Sequence, residues 1–283
     1  MSVNDITGGM HYTMCDDDVN RDDSVSKDPY IKCNSCNTDG GIAGNEITDE
    51  EYAAKVQELA LLGMKLGVPV PYATYSVDVI KDGNVIDHRE GYSRSWNRNF
   101  YNWLISEVCY APLNSTTFGA GYLSMKGTDG NMYGTGSIAR FYGVSPNYNP
   151  ETNTGYYGSI NNSIIGIVVG TGTGPEIFNN YALGTLIPSG TGSGQLSYQE
   201  SRSPTKTWNS GSSQFVVSWK RYFNNNSGAS ITVNEMGIYG FFFNSPYYYM
   251  VCRDKLSSGI ELPDAAQLLV TYNIITQFPT DRS

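Results

Sequence analysis

A mainly β protein, an antiparallel β-sandwich or jelly roll with two short helices and an extended N-terminal arm, is the fold this chain of 283 residues predicts. The first observation is compositional. Only 16% of the residues are charged, while 31 Gly and 22 Tyr stand among dense Asn, Ser and Thr, as in short strands joined by turns. The second is periodicity: from residue 74 onward apolar side chains recur every second position. A hydrophobic fraction of 40% is enough for a real core and excludes wholesale disorder.

The elements follow in order. Residues 1–46 hold nine acids and three bases, −6 of the total −9, without hydrophobic periodicity, and read as an arm that orders only against something else. Thr48-Asp49-Glu50-Glu51 has the form of a capping box and precedes apolar Tyr52, Val56, Leu59 and Ala60, so a helix begins there. Gly67, Pro69 and Pro71 end it. Tyr75, Val77 and Val79 alternate with polar residues, Asp82-Gly83 turns the chain, and Val85-Ile86 returns it as a β-hairpin. Over 93–109, Trp96, Phe100, Trp103, Leu104 and Val108 fall at helical spacing, which predicts a second helix with Ser95 as cap and its aromatic face inward. Residues 111–162 read as long loops, and a boundary near 155 separates a 47–155 part from a C-terminal sandwich over 156–283.

Within that last part, 164–169 reads as a buried strand and 170–174 and 189–194 as glycine-rich loops. Phe215, Val217, Trp219, Arg221 and Phe223 alternate along 214–223; a turn at 224–228 and a strand over 230–239 then predict a long hairpin. Two further strands, 247–253 and 268–275, are expected on either side of a turn-rich 257–264.

Charge and chain chemistry exclude several classes. A net charge of −9 offers no global attraction to phosphate backbones or anionic membranes, so nucleic acid is not the expected main partner. No apolar run approaches the ~20 residues of a membrane span. The acidic start is unlike a secretory signal, and five cysteines suit synthesis in a reducing cytoplasm.

Few motifs carry chemistry. His11, Cys15, Cys33 and Cys36 make a tetrahedral zinc set with a C-x2-C bite, which would fold the arm around a structural zinc; a disulfide or idle thiols are the other readings. Asp16, Asp18, Asn20 and Asp22 open like a calcium loop, but Arg21 and Lys27 stand where Gly and Glu are needed. Gly170-Thr171-Gly172-Thr173-Gly174 looks like a phosphate cradle without the Lys-Ser or Lys-Thr that should follow. Only His11 and His88 are available as imidazole bases and no Gly-x-Ser-x-Gly elbow appears, so a nucleophilic triad is not expected. Glu235, Asp254 and Glu261 are the carboxylates that could meet for glycoside hydrolysis, though Glu235 reads better as a satisfied strand residue. Trp208, Trp219, Tyr247, Tyr248 and Tyr249 are the candidates for contact with a partner or a glycan.

In combination, four segments resemble a family of tailed-bacteriophage virion structural proteins. They are Ser93-Arg94-Ser95-Trp96-Asn97-Arg98-Asn99-Phe100-Tyr101-Asn102, Val168-Val169-Gly170-Thr171-Gly172 leading to Asn180-Tyr181-Ala182-Leu183, Gly194-Gln195-Leu196-Ser197-Tyr198, and the run from Asn226 through Ile231-Thr232-Val233-Asn234-Glu235-Met236-Gly237 to Tyr239. Cys252-Arg253-Asp254 before the strand Leu268-Leu269-Val270-Thr271-Tyr272 adds to the likeness, which spans about 75–276. The resemblance implies a β-rich, non-enzymatic building block of tail, neck or capsid surface, assembled in the host cytoplasm. Other virion proteins and copies of itself would be its partners, and no catalytic residue or required cofactor comes with it. The arm and first helix are then expected to anchor the chain while the sandwich forms or decorates the surface. A carbohydrate- or receptor-binding module for a host surface glycan is the alternative, and a polysaccharide hydrolase acting through Glu235 or Asp254 ranks below it.

Overall fold

A computed structural model describes residues 47–109, 113, 115–120, 122–133, 156–241 and 248–279; the arm, with His11, Cys15, Cys33 and Cys36, lies outside them. Helix α1 (Asp49–Leu66) starts at the capping box, where Thr48 Oγ1 accepts the Glu51 N–H at 3.2 Å and the Glu51 carboxylate accepts the Thr48 N–H at 3.0 Å. Gly67, with φ 72°, closes it. Only Val56 and Gly63 of this helix are buried, and the missing side chain at Gly63 lets the helix backbone settle onto Val70.

Strands β1 (Val70–Lys81) and β2 (Asn84–Ser93) form the expected hairpin. Asp82 and Gly83 both take left-handed φ, 50° and 79°, the backbone of a turn whose twist matches the strands.

Helix α2 (Arg98–Cys109) packs Phe100 and Trp103 against the core as expected, and departs from expectation at its start and in the rest of its packing. Ser95 is not its cap: residues 95–97 run extended along a neighbouring strand, with Trp96 bridged to Cys252 and the Asn97 N–H bonded to the Val251 carbonyl at 3.1 Å. Asn97 caps instead, accepting the Phe100 N–H at 3.3 Å. The buried residues of α2 are Asn99, Asn102 and Ser106, while Leu104 and Val108 face outward. The asparagines can be buried because they are bonded to backbone: Asn99 exchanges hydrogen bonds with Lys126 at 2.9 Å in both directions, and Asn102 Nδ2 donates to the Ser124 carbonyl at 2.6 Å.

The remaining strands are β3 (Met125–Lys126), β4 (Met132–Tyr133), β5 (Gly166–Gly170), β6 (Ser197–Tyr198), β7 (Arg202–Asn209), β8 (Gln214–Asn224), β9 (Ile231–Phe241), β10 (Tyr248–Leu262) and β11 (Gln267–Gln277). One antiparallel sheet has the order β2-β1-β11-β8, with β6 and β7 both along the far edge of β8; a second has the order β10-β9-β5. One hydrophobic core joins them, with Val77, Phe223 and Val270 from the first sheet and Val168, Met236 and Ile238 from the second. Strands on both sides of position 155 share the first sheet, and the described residues fall in one compact unit.

Two strand connections differ from the sequence reading. β8 and β9 are not a hairpin: β8 pairs with β11 while β9 pairs with β10 and β5, so the intervening turn crosses from one sheet to the other. Nor does the chain break at 257. β10 runs on to Leu262, absorbing the extra residues as an irregularity between Lys255 and Ile260, because Leu256, Ile260 and Leu262 all find places in the core. The reversal comes later, at 263–266, and the buried Asn225 ties both crossings together. Its Nδ2 donates to the Leu262 and Ala229 carbonyls, each at 2.8 Å, and its backbone bonds Ala265 and Ala266.

Candidate functional site

The glycine loop that looks like a phosphate cradle does hold an anion, and the anion is the chain's own Glu235. This carboxylate, fully buried on β9, accepts the Gly172 and Thr185 N–H groups at 3.0 and 2.8 Å on one oxygen. On the other it accepts the Gly184 N–H at 3.0 Å and Arg253 Nε at 2.7 Å. Arg253 uses its two other nitrogens on the Pro175 and Gly174 carbonyls and Asn180 Oδ1, at 2.7, 3.1 and 3.0 Å. Glycine is needed because a Cβ on Gly170 would stand 2.6 Å from the Glu235 carboxylate and 2.5 Å from the Thr185 carbonyl. Burial works to raise the Glu235 carboxyl, but the Thr185 and Gly184 amides and Arg253 outweigh it and hold it below the usual range.

Asp254 follows Arg253 on β10 and therefore points to the opposite face, between the sheets. One of its oxygens accepts Ser93 Oγ at 2.8 Å, Tyr272 OH at 2.9 Å and Cys252 Sγ at 3.1 Å; the other accepts the Arg94 N–H at 3.2 Å. Among the described residues no cation forms an ion pair with it. Burial pushes its carboxyl up to about 6 against the pull of the Cys252, Ser93 and Tyr272 donors, with Glu176 adding to the rise. Burial and Asp254 likewise push the Cys252 thiol up, away from the reactive thiolate.

Asp254 gives a pH prediction. Its folded value lies above the 3.8 of an ordinary Asp, so proton uptake favours the native state and stability from this group is gained as pH falls through about 6. Between pH 7.5 and 4.5 the native chain should gain about 2 kcal/mol relative to Asp254→Asn, which has no proton to take up. Urea unfolding of both proteins at the two pH values measures it, and a pH-independent difference would contradict the assignment.

A third buried charge closes a sheet edge. Arg221, on β8, sends all of its donors to backbone carbonyls of Gln199, Ile165, Ile167, Ser159 and Asn162 at 2.6–3.0 Å. Ile167 lies on β5, the edge of the second sheet, so this guanidinium fastens one sheet to the other. Burial lowers it to about 10, still cationic at neutral pH.

The candidate carboxylates for hydrolysis do not come together: Glu235 and Asp254 occupy opposite faces of one sheet, and Glu261 is exposed opposite Thr232. The candidate contact aromatics are dispersed as well. Trp208 is exposed on β7 beside Phe278, Tyr248 is half-buried, Tyr249 is buried against Tyr133, and Tyr247 lies outside the described residues. Trp219, half-buried and edge-on to Tyr156 at 5.5 Å, helps line a crevice of about 500 Å³. Trp96, Phe100 and Trp103 line it too, with Ile167 and Ile238 from the second sheet and Tyr52, Val56 and Leu59 from α1. Sequence reasoning did not find this crevice. The helical spacing of Trp96, Phe100 and Trp103 was its one local sign, and the other walls come from distant segments.

No protein-family model, curated protein or solved structure matches the chain.

Proposed function

We propose that this chain is a non-enzymatic structural component of a tailed-phage virion, anchored by its N-terminal arm and contributing the β-sandwich to the tail, neck or capsid surface. The observation that carries the reading is the use made of the buried charges. Glu235, Arg253 and Arg221 spend their polar atoms on the chain's own loops and strands, which makes a rigid block out of a loop-rich sequence. The resemblance seen in the sequence supplies the particle. The partners are then other virion proteins and further copies of the chain, and a zinc held by His11, Cys15, Cys33 and Cys36 would stiffen the anchoring arm.

Deleting residues 1–46 tests the anchoring. The shortened chain should keep its cooperative unfolding and fail to enter particles when it is the sole source of the protein. Undiminished incorporation would contradict the role given to the arm. A second reading, a glycan- or receptor-binding module, has the exposed Trp208–Phe278 pair in its favour. A glycan array with hits that Trp208→Ala abolishes would support it.

A further inference from the structure

We infer that the face formed by α1 and α2 seats a second copy of this chain in a two-fold symmetric dimer. On α1, Leu59, Leu62 and Leu66 are 53, 48 and 55% exposed at spacings of three and four residues, the pattern of a helix seam that lacks its partner. On α2, Tyr101, Leu104 and Val108 repeat the spacing, with Val108 73% exposed. α2 turns this row outward because Asn99, Asn102 and Ser106 hold its buried side.

Leu59 on one helix and Tyr101 and Leu104 on the other line the aromatic crevice, so both rows border the same hollow of about 500 Å³. One face thus carries a ridge of leucines and a recess to receive such a ridge. A two-fold contact requires that self-complementarity, since each copy offers the same patch to the other. With Ile105 beside them the exposed side chains of the two rows number seven, an apolar area on the order of the ~800 Å² per partner that a standard interface buries. Such a patch exceeds what a soluble monomer ordinarily leaves in water. Charge permits the pairing: the exposed acids Asp49, Glu50 and Glu51 lie in the first turn of α1, about 12 Å or more along the axis from Leu59, and the charges beside the two rows are of both signs, Lys55 and Lys65 with Glu58 on α1 and Glu107 next to Val108 on α2.

Sedimentation equilibrium of the full chain tests the inference independently of any particle. The native chain should dimerise below about 100 µM, and Leu62→Glu and Val108→Glu should each weaken the dimer at least about tenfold. Both positions are well exposed, so the urea midpoint of the isolated chain should stay put; if Leu62→Glu fails to fold, Val108→Glu carries the test. A chain that remains monomeric to about 100 µM, or a dimer indifferent to both substitutions, overturns the proposal.

Discussion

Glu235→Ala should lower the stability of the chain by about 3–5 kcal/mol, the range for breaking a buried ion pair by removing one member. The substitution strips the Gly172, Gly184 and Thr185 amides of their acceptor and leaves Arg253 charged and unpaired at 3% exposure. The segment from 171 to 185, which has no strand of its own, should then become the first site of proteolysis. Glu235→Gln keeps an acceptor oxygen for part of this set and should lose less. Urea unfolding followed by tryptophan fluorescence reads the difference, and a loss under about 1 kcal/mol for the alanine variant would mean that the pair is not a fastener.

Arg221→Met should be comparably damaging, by about 3 kcal/mol or more, because five backbone carbonyls lose their donor at once. Methionine fills most of the volume against Tyr198 and Phe223, so the loss reports on hydrogen bonds more than on packing. Arg221→Lys separates charge from geometry. An ammonium offers three donors from a single point and cannot reproduce the guanidinium fork, so lysine should rescue less than half of the loss. Full rescue by lysine would show that charge alone is needed. The two predicted effects should be close to additive, since Glu235 and Arg221 share no partner among their hydrogen bonds.

What could be read from the sequence was local. Thr48 with Glu51, and Asp82-Gly83, specify a helix start and a hairpin turn through contacts within three residues, and both stand where expected. The mainly antiparallel β architecture followed from alternation. Alternation tells which face a residue takes and says nothing of which strand lies beside it. Asn224 to Gly228 therefore reads as a hairpin turn, although the chain there crosses between sheets under the hold of Asn225 on Leu262, Ala265 and Ala266. The role of the glycine loop was hidden for a similar reason: its anion, Glu235, comes 63 residues after Gly172. On α2 the spacing of Phe100 and Trp103 does mark a side packed on the core, but Leu104 and Val108 of the same pattern face outward and asparagines take the fully buried positions. Asn99 and Asn102 can take those positions only because backbone groups of Lys126 and Ser124 happen to meet them.

The most direct test of the proposed role is quantitative mass spectrometry of purified particles from the genome that encodes the chain, with its copy number set against the main shell protein. The expected result is a fixed stoichiometric presence, in the hundreds for a capsid-surface component or a few to a few dozen for neck or tail. Absence from the particles would contradict a structural role and bring the binding-module reading to the front.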